Sequence, residues 1–231
     1  LYGRNGESPV VVIAATSPTN CFDSAYWASK IALEHITPVI LLTDSYIANG
    51  SSAWRIPEEN EYLPIIPHDI KQLAGETWRA ALRDNETLAR YWAAAGTEGY
   101  THRIGGLEKD YDTGAISTDP DNHQKMVETR KTKIDKIADF IPELEVLGTP
   151  DAKTLIVGWG GTYGHLREAV EQMVDDGKNV AFTHFNFICP LPKNTESVLK
   201  KYDKIIVAEQ NLGQFAGYLA ENISGLNIVK Y

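Results

Sequence analysis

The chain opens on a continuous apolar run, Pro9 to Ala15 (PVVVIAA), rich in β-branched residues. A run of this length and kind predicts a strand buried on both faces. Ser17-Pro18-Thr19-Asn20 then reads as a turn, with Asn20 or Thr19 placed to cap a helix from about Cys21 to His35. Phe22, Ala25, Tyr26, Ala28, Ile31 and Ala32 recur along that stretch at helical spacing. Thr37-Pro38 stops the helix, and Val39 to Leu42 predicts a second buried strand. Strand, helix and strand at this spacing form a βαβ unit, for which a right-handed crossover is expected.

From Ser51 to about Gly148 the periodicity dissolves and no strand is convincing. Pro57, Pro64, Pro67, Gly75, Gly96, Gly99, Gly105, Gly106 and Gly114 punctuate the segment. It is too long for a plain loop inside a compact domain. Trp54, Trp78, Tyr91, Trp92 and Tyr100 give it large aromatic anchors, so an ordered excursion draped over another surface is expected rather than a floppy linker. One helix is predicted over Pro120–Phe140, with Asp119 as N-cap and Pro120 in the first turn. Met126, Val127, Ile134, Ile137 and Ala138 would form its apolar stripe.

Regular alternation returns at Thr154. Strand Thr154–Val157, turn Gly158–Gly164, helix His165–Asp176 and strand Val180–Phe187 come first. Cys189-Pro190-Leu191-Pro192, helix Thr195–Tyr202, strand Lys204–Ala208, helix Leu212–Ile223 and strand Asn227–Tyr231 follow. The fold class is α/β, with a parallel sheet flanked by helices. There is no internal repeat and no low-complexity tract.

Composition narrows the function classes. Hydrophobic residues make up 43% of the 231 positions, enough for a real core, and the formal charge is −9. That charge argues against nucleic acid as a partner, because a phosphate-binding surface needs clustered cations. The densest basic run, Arg130-Lys131-Thr132-Lys133, reads as a solvated helix face. No apolar run approaches the roughly 20 residues that span a bilayer, so no membrane partner is expected. Cys21 and Cys189 are the two cysteines, without CxxC or histidine-paired spacing. A zinc or iron–sulfur site built from this chain alone is therefore not expected, and two lone thiols fit a reducing, cytoplasmic location. The start, Leu1-Tyr2-Gly3-Arg4, is no signal peptide, and the natural chain is expected to begin earlier.

Gly158-Trp159-Gly160-Gly161-Thr162-Tyr163-Gly164 stands between a strand and a helix, where a dinucleotide fingerprint belongs. The spacing fails: GxGxxG from Gly158 needs glycine at Tyr163, and the next strand ends in Phe185-Asn186-Phe187 rather than an acidic residue. The alternative is a tight turn that lets backbone or a partner approach. The six histidines form no HExxH, and no GxSxG is present. Ser17 to Asn20, Asp44-Ser45-Tyr46 and Glu209-Gln210-Asn211 each follow a strand, the side on which such sheets bind ligands. Each suits ligand contact or helix capping, and the last also suits a neighbouring subunit. The residues alone thus describe two α/β units joined by an aromatic-rich segment, with no self-sufficient catalytic constellation.

Leu1–Glu7 (LYGRNGE), Thr37–Gly50 (TPVILLTDSYIANG), Gly105–Arg130 (GGLEKDYDTGAISTDPDNHQKMVETR) and Thr154–Gly164 (TLIVGWGGTYG), with Asn186–Pro192 (NFICPLP) and Glu209–Gln214 (EQNLGQ), go further. Together they resemble the α subunit of 2-oxoacid:ferredoxin oxidoreductases, of the 2-oxoglutarate type. The resemblance spans essentially the whole chain, and Gly105–Arg130 is its most specific stretch. A more distant likeness runs to the transketolase-type β subunits of 2-oxoacid dehydrogenases.

The resemblance implies that residues 1–50 are the end of a thiamine-diphosphate pyrimidine-type domain. Residues 51–150 would be an extended connecting segment with one helix, and residues 151–231 a transketolase C-terminal-like α/β domain. It implies oxidative decarboxylation of 2-oxoglutarate to succinyl-CoA with electrons passed to ferredoxin. Thiamine diphosphate and Mg²⁺ would be shared with a β subunit that carries the iron–sulfur cluster, with coenzyme A as cosubstrate. The family's N-terminal domain and its YPITP-like and GPSTGLPT-like segments would lie before Leu1, and the family runs a little past Tyr231. The chain is accordingly expected to be the C-terminal part of such a subunit, inactive without β. No catalytic residue carries over, and no cofactor contact is assigned. Gly3, Arg4, Asn5, Gly6 and Glu7 match a loop at a domain or subunit edge. Gly158, Gly160, Gly161, Gly164, Glu209 and Asn211 read as packing and docking features. Three rival readings remain: the same chemistry on pyruvate or a branched-chain 2-oxoacid, a non-enzymatic assembly domain, and an NAD-linked dehydrogenase resting on the glycine turn alone.

Overall fold

The computed structural model describes residues 1–4, 8–73 and 77–231. Two compact units emerge: Leu1–Val11, Trp27–Val39 and Pro57–Ile137 form the first, and Val12–Tyr26, Ile40–Ile56 and Ala138–Tyr231 form the second.

The elements begin with β1 (Val11–Ala14), α1 (Asn20–Glu34), β2 (Val39–Leu42) and α2 (Ser45–Asn49). The N-terminal apolar run is buried throughout from Val10 to Ala15, as its pattern predicted. β2 is not buried on both faces. Ile40 and Leu42, which share one face of this edge strand, are 40% and 38% exposed. The cap of α1 also differs from expectation. Ser17 Oγ accepts the backbone N–H of Asn20, and the Asn20 side chain is used elsewhere.

The first unit shows how a segment without regular strands keeps its shape. Long side chains reach distant main chain. Lys30 Nζ donates to the carbonyl of Pro64 at 2.7 Å, and the N–H of Ile66 donates to Glu34 at 2.8 Å. Isolated bridges join Asp69 to Trp92, Arg83 to Arg90, and Lys109 to Ile116. Helix α3 (Pro120–Lys136) starts as predicted, with Asp119 accepting the N–H of Asn122 and Pro120 in the first turn. It ends earlier than predicted and passes into a 3₁₀ turn, Ile137–Asp139. Met126, Ile134 and Ile137 are buried with Ile31, Ala81 and Ala89.

The second unit holds β3 (Leu147–Gly148), β4 (Thr154–Trp159), α4 (Tyr163–Asp175), β5 (Val180–Phe185), β6 (Phe187–Cys189), α5 (Thr195–Leu199), β7 (Lys204–Val207), α6 (Gln214–Asn222) and β8 (Ile228–Lys230). Its five-stranded sheet has the order β3-β5-β4-β7-β8. β5, β4, β7 and β8 are mutually parallel, as expected, and β3 is an antiparallel edge too short for a sequence pattern to reveal. Residues of opposite parity point to opposite faces. Ile156, Val180 and Phe182 pack under α4 with Val170 and Leu166. Phe185, on the other face, meets Phe215 of α6 with ring centroids 4.9 Å apart. The right-handed crossover rule gives the same arrangement, since the chain moves from β4 to β5 in one direction and from β7 to β8 in the other.

The expected single strand over Val180–Phe187 is two strands. β5 stays in the parallel sheet, while β6 turns out of it and pairs antiparallel with β1, Val12 opposite Cys189 and Ile13 opposite Phe187. Asn186 is the joint. Its carbonyl accepts the N–H of Ala14 at 2.7 Å, and its amide donates to the Ala14 carbonyl and to Asn20 Oδ1, both at 3.1 Å. A continuous apolar run with one asparagine carries no sign of a change of partner.

Gly148 sits at φ +102, and a Cβ there would lie 2.5 Å from the carbonyl oxygen of Val180. Backbone blocks backbone, so neither side can yield. Gly148→Ala is expected to destabilise the second unit by about 2–4 kcal/mol, read by denaturant unfolding. A change under 0.5 kcal/mol would contradict this packing of β3 on β5.

Candidate functional site

A cleft of about 300 Å³ opens within the second unit at the carboxyl ends of four strands. Ala14 and Ala15 follow β1, Leu42, Thr43 and Asp44 follow β2, Trp159 to Thr162 follow β4, and Gln210 and Asn211 follow β7. β4 and β7 are adjacent, but the helices after them cover opposite faces. The loops therefore diverge and leave a crevice, where open α/β sheets place ligands.

The glycine turn forms one wall. Gly160 has φ +59, a left-handed conformation that carries the chain from β4 towards α4. Gly158 is crowded instead: a Cβ there would lie 2.5 Å from Leu166 Cδ1 and 2.9 Å from His184 Nδ1. Gly161 is the tightest. A Cβ would fall 2.2 Å from Asp44 Oδ2. Gly164 has no such neighbour within 4 Å. Asp44 Oδ1 meanwhile accepts the N–H of Ile47 at 2.8 Å and caps α2. The space beside the amino end of α4, which a pyrophosphate takes in a dinucleotide fold, thus holds the protein's own carboxylate. Asp44, which the sequence left between ligand contact and capping, caps one helix and faces the turn before another.

Behind the turn, His184 Nε2 is 3.0 Å from the Gly160 carbonyl, so it carries the proton and donates. His184 Nδ1 is buried without a hydrogen-bond partner among the described residues. Burial pushes this imidazole down to about 4 despite the Gly160 contact, and it is neutral near pH 7. Cys21 has its thiol pushed up, first by burial and then by the charge of Asp44.

The opposite wall is built by capping. Glu209, only 9% exposed, accepts the N–H groups of Phe215 and Ala216, each at 3.0 Å, and the indole N–H of Trp159 at 3.2 Å. Asn211 Oδ1 accepts from Gly213 and Gln214. Both residues singled out in sequence therefore hold the amino end of α6, and Glu209 also ties it to the β4 turn. Gly3 and Arg4 are exposed in the first unit, and Asn5, Gly6 and Glu7 lie outside the described residues. His184 and Trp159 were missed as positioning residues. The signal available was their place at the carboxyl ends of adjacent strands.

The segment most specific in sequence, Gly105–Arg130, folds into a lock in the first unit. Glu108 takes His123 Nδ1 and, at 2.7 Å, Arg130 Nη1. Burial works to raise the Glu108 carboxyl, but these two donors hold it below the usual range. Asp110 closes its turn by accepting from Asp112 and Thr113, and Asn122 bonds Tyr111 N–H and the Lys109 carbonyl. Lys125 Nζ lies 3.6 Å from the centre of the Tyr111 ring. The stretch is a structural clasp of loop on α3.

Two family models match the chain. Residues 2–119 match "Pyruvate flavodoxin/ferredoxin oxidoreductase, thiamine diP-bdg", and residues 152–228 match "Pyruvate:ferredoxin oxidoreductase core domain II". The chain belongs to the pyruvate flavodoxin/ferredoxin oxidoreductase family. Among relatives of this family, 2-oxoglutarate oxidoreductase subunit KorA of Mycobacterium tuberculosis is 49% identical over 220 residues, 95% of this chain and 33% of that protein. The 2-oxoacid:ferredoxin oxidoreductase subunit alpha of Saccharolobus solfataricus is 28% identical, over 100% of this chain and 37% of its own. The solved 2-oxoglutarate:ferredoxin oxidoreductase from Magnetococcus marinus, with 2-oxoglutarate, coenzyme A and succinyl-CoA bound, superposes with a TM-score of 0.88 at 25% identity. That match covers 100% of this chain and 40% of the other. The chain thus spans about a third of the length of these relatives.

The cofactor named by the first family model does not suit the cleft. Its lining carries one carboxylate, Asp44, and no lysine or arginine, so a diphosphate would be repelled there. Among the described residues no group of three or more His, Cys, Asp or Glu side chains is arranged to hold a metal ion. The cleft suits a neutral or cationic group.

Two outcomes follow. Gly161→Ala is expected to cost about 2–4 kcal/mol through the clash with Asp44. Asp44→Ala in the same chain should recover at least half of that loss in a double-mutant cycle, and an additive cycle would refute the contact. For His184 the folded pKa lies below the usual 6.5, so the unfolded chain takes up the proton first as pH falls. Its contribution is complete above pH 6.5 and is lost between 6.5 and about 4, worth roughly 3 kcal/mol. Unfolding free energies of His184→Gln across that window should fall less steeply than those of the parent. His35, also pushed down to about 4 by burial, leaves a residual slope in both.

Proposed function

We propose that this chain is part of the α subunit of a thiamine-diphosphate-dependent 2-oxoglutarate:ferredoxin oxidoreductase. The observation that carries the reading is the 49% identity to 2-oxoglutarate oxidoreductase subunit KorA, which runs through both matched family models. The solved Magnetococcus marinus relative, bound to 2-oxoglutarate, coenzyme A and succinyl-CoA, supports the same substrates. In this reading the enzyme cleaves the C1–C2 bond of 2-oxoglutarate and releases CO₂. The remaining succinyl group passes to coenzyme A, and the electron pair freed by its oxidation passes to ferredoxin.

A division of labour between subunits is part of this reading, and the charge of this chain's cleft is compatible with it. The described part of this chain offers no acidic metal cluster, and its cleft offers no cation for a diphosphate. In this reading Mg²⁺, the diphosphate contacts and the iron–sulfur cluster belong to the partner β subunit, and the enzyme works in the cytoplasm. Residues 1–50, 51–150 and 151–231 act as the end of a pyrimidine-type domain, a connecting segment and a transketolase C-terminal-like domain. Gly3 and Arg4, the glycine turn, and Glu209 with Asn211 are read as edges that meet the rest of the assembly; Asn5, Gly6 and Glu7, placed at the same edge by the resemblance, lie outside the described residues. The alternative substrates are pyruvate and branched-chain 2-oxoacids, because the relatives from Aeropyrum pernix and Saccharolobus solfataricus carry only the broader name 2-oxoacid:ferredoxin oxidoreductase.

The test is the purified full-length α–β complex assayed for ferredoxin reduction with coenzyme A and each 2-oxoacid. kcat/KM for 2-oxoglutarate should exceed that for pyruvate or 2-oxoisovalerate by about 100-fold or more. Residues 1–231 alone should show no turnover. Equal turnover of all three acids would remove the substrate assignment, and turnover by the isolated fragment would remove the shared-site reading.

A further inference from the structure

The first unit contains a second concavity, a groove of about 830 Å³ lined by Trp78, Arg90, Trp92, Tyr100, His102 and neighbouring main chain. Its charge is unusual for an acidic protein. Arg83 and Arg90 stand directly opposite each other in an antiparallel bridge, an arrangement that costs stability between like charges. Lys133 adds a third cation. Its buried ammonium donates to the carbonyl of Ile36, which also lines the groove. It is pushed down to about 8, first by burial and then by the charges of Arg90 and Arg83.

Of the anions nearby, Asp112 acts on Arg83 and the others are engaged elsewhere. Glu108 pairs with Arg130, and Asp84 is occupied by Thr87. Arg83 is turned to the carbonyls of Ala81 and Tyr111 and stacks on the Tyr111 ring. Glu98 lines the loop side of the groove without an ion pair to Arg90. Among the described residues, the Arg90 guanidinium has no hydrogen-bond or ion-pair partner, and Arg90 is exposed on the groove wall.

The aromatic side of the groove is equally unfinished. Trp92 is fixed by its backbone, donating to His68 and accepting from Ile70, yet its ring is 43% exposed and stacks on no aromatic neighbour among the described residues. Trp78 packs edge-on to Tyr100 and His102, and its indole N–H is buried without an acceptor among the described residues. A rigid exposed indole suits a planar ring. An unpaired guanidinium beside two further cations suits a phosphate.

We propose that this groove is a binding site for a nucleoside phosphate, with the base stacked on Trp92 and the phosphate held by Arg90. The site lies wholly in the first unit and does not depend on which 2-oxoacid the enzyme uses.

Binding of radiolabelled ADP to the full-length complex, by equilibrium dialysis at low salt, tests this. ADP should bind at least about tenfold more tightly than adenosine, and inorganic phosphate should compete weakly. Arg90→Gln should weaken ADP about tenfold or more and leave adenosine unchanged. Trp92→Leu should weaken both ligands. Arg90→Lys, which keeps the charge without the fork, should fall between Arg90→Gln and the parent. Both side chains are exposed, so unchanged melting temperatures are expected and separate lost binding from lost fold. ADP binding that neither Arg90→Gln nor Trp92→Leu alters would place the nucleotide elsewhere and overturn the proposal. So would an absence of ADP binding, or an acidic peptide that binds through Arg90 while ADP does not.

Discussion

The second unit depends on the polar joint at Asn186. Its chain must leave the parallel sheet after Phe185 and enter the other sheet at Phe187. A strand that changes partners in a protein interior exposes main-chain groups that neither ladder can satisfy. Asn186 resolves this with both its backbone and its side chain. The carbonyl takes the Ala14 N–H, and the amide bonds the Ala14 carbonyl and Asn20 Oδ1. Asn20 Oδ1 also accepts from Thr16 N–H and Ser24 Oγ, which pulls the first turn of α1 onto the same point. The ends of β1 and β5 and the start of α1 are thereby held together, and the cleft at the strand ends inherits its floor from that arrangement.

Around the cleft, carboxylates do structural work that ligand anions do in related sheets. Asp44 lies against the β4–α4 turn, and Glu209 neutralises the amino end of α6 while holding the indole of Trp159. Helix dipoles that would attract a phosphate are already complemented. The wall between them is kept thin by Gly161 and Gly158, whose missing side chains let Asp44 and His184 approach the backbone. A glycine turn that resembles a nucleotide motif is thus better explained by internal close packing. The positive charge left uncompensated is in the first unit, where the ordering of a strandless segment relies on lysine and arginine side chains reaching main-chain carbonyls. That strategy collects cations in the interior and leaves Arg90 beside an aromatic groove.

Much of this architecture was legible in the residues themselves. The run from Pro9 to Ala15, the Asp119-Pro120 start of α3 and the alternation after Thr154 are local signals, each set by burial period or cap chemistry within a few residues. The family resemblance was legible as well in Gly105–Arg130, whose structure is a clasp: Arg130 pairs with Glu108, Asn122 bonds the Tyr111 N–H, and Asp110 accepts from Thr113. The spacing that puts Tyr163 where GxGxxG needs glycine already argues against a dinucleotide site.

What only the tertiary structure decided were the contacts between distant positions. Asp44 against Gly161, His184 against Gly158 and Asn186 against Ala14 and Asn20 join residues tens to more than a hundred positions apart. No periodicity records them. For the same reason β3 and the turn between β5 and β6 escaped the pattern, since partner exchange depends on which edge a folded sheet presents. The exposed face of β2 escaped it too, because apolar identity states what a residue prefers to bury but not whether a neighbour is there to cover it. The sequence alone determined an α/β chain that resembles this oxidoreductase family. The fold decided that its most tempting motif is packed by its own carboxylate and that its unpaired charge lies elsewhere.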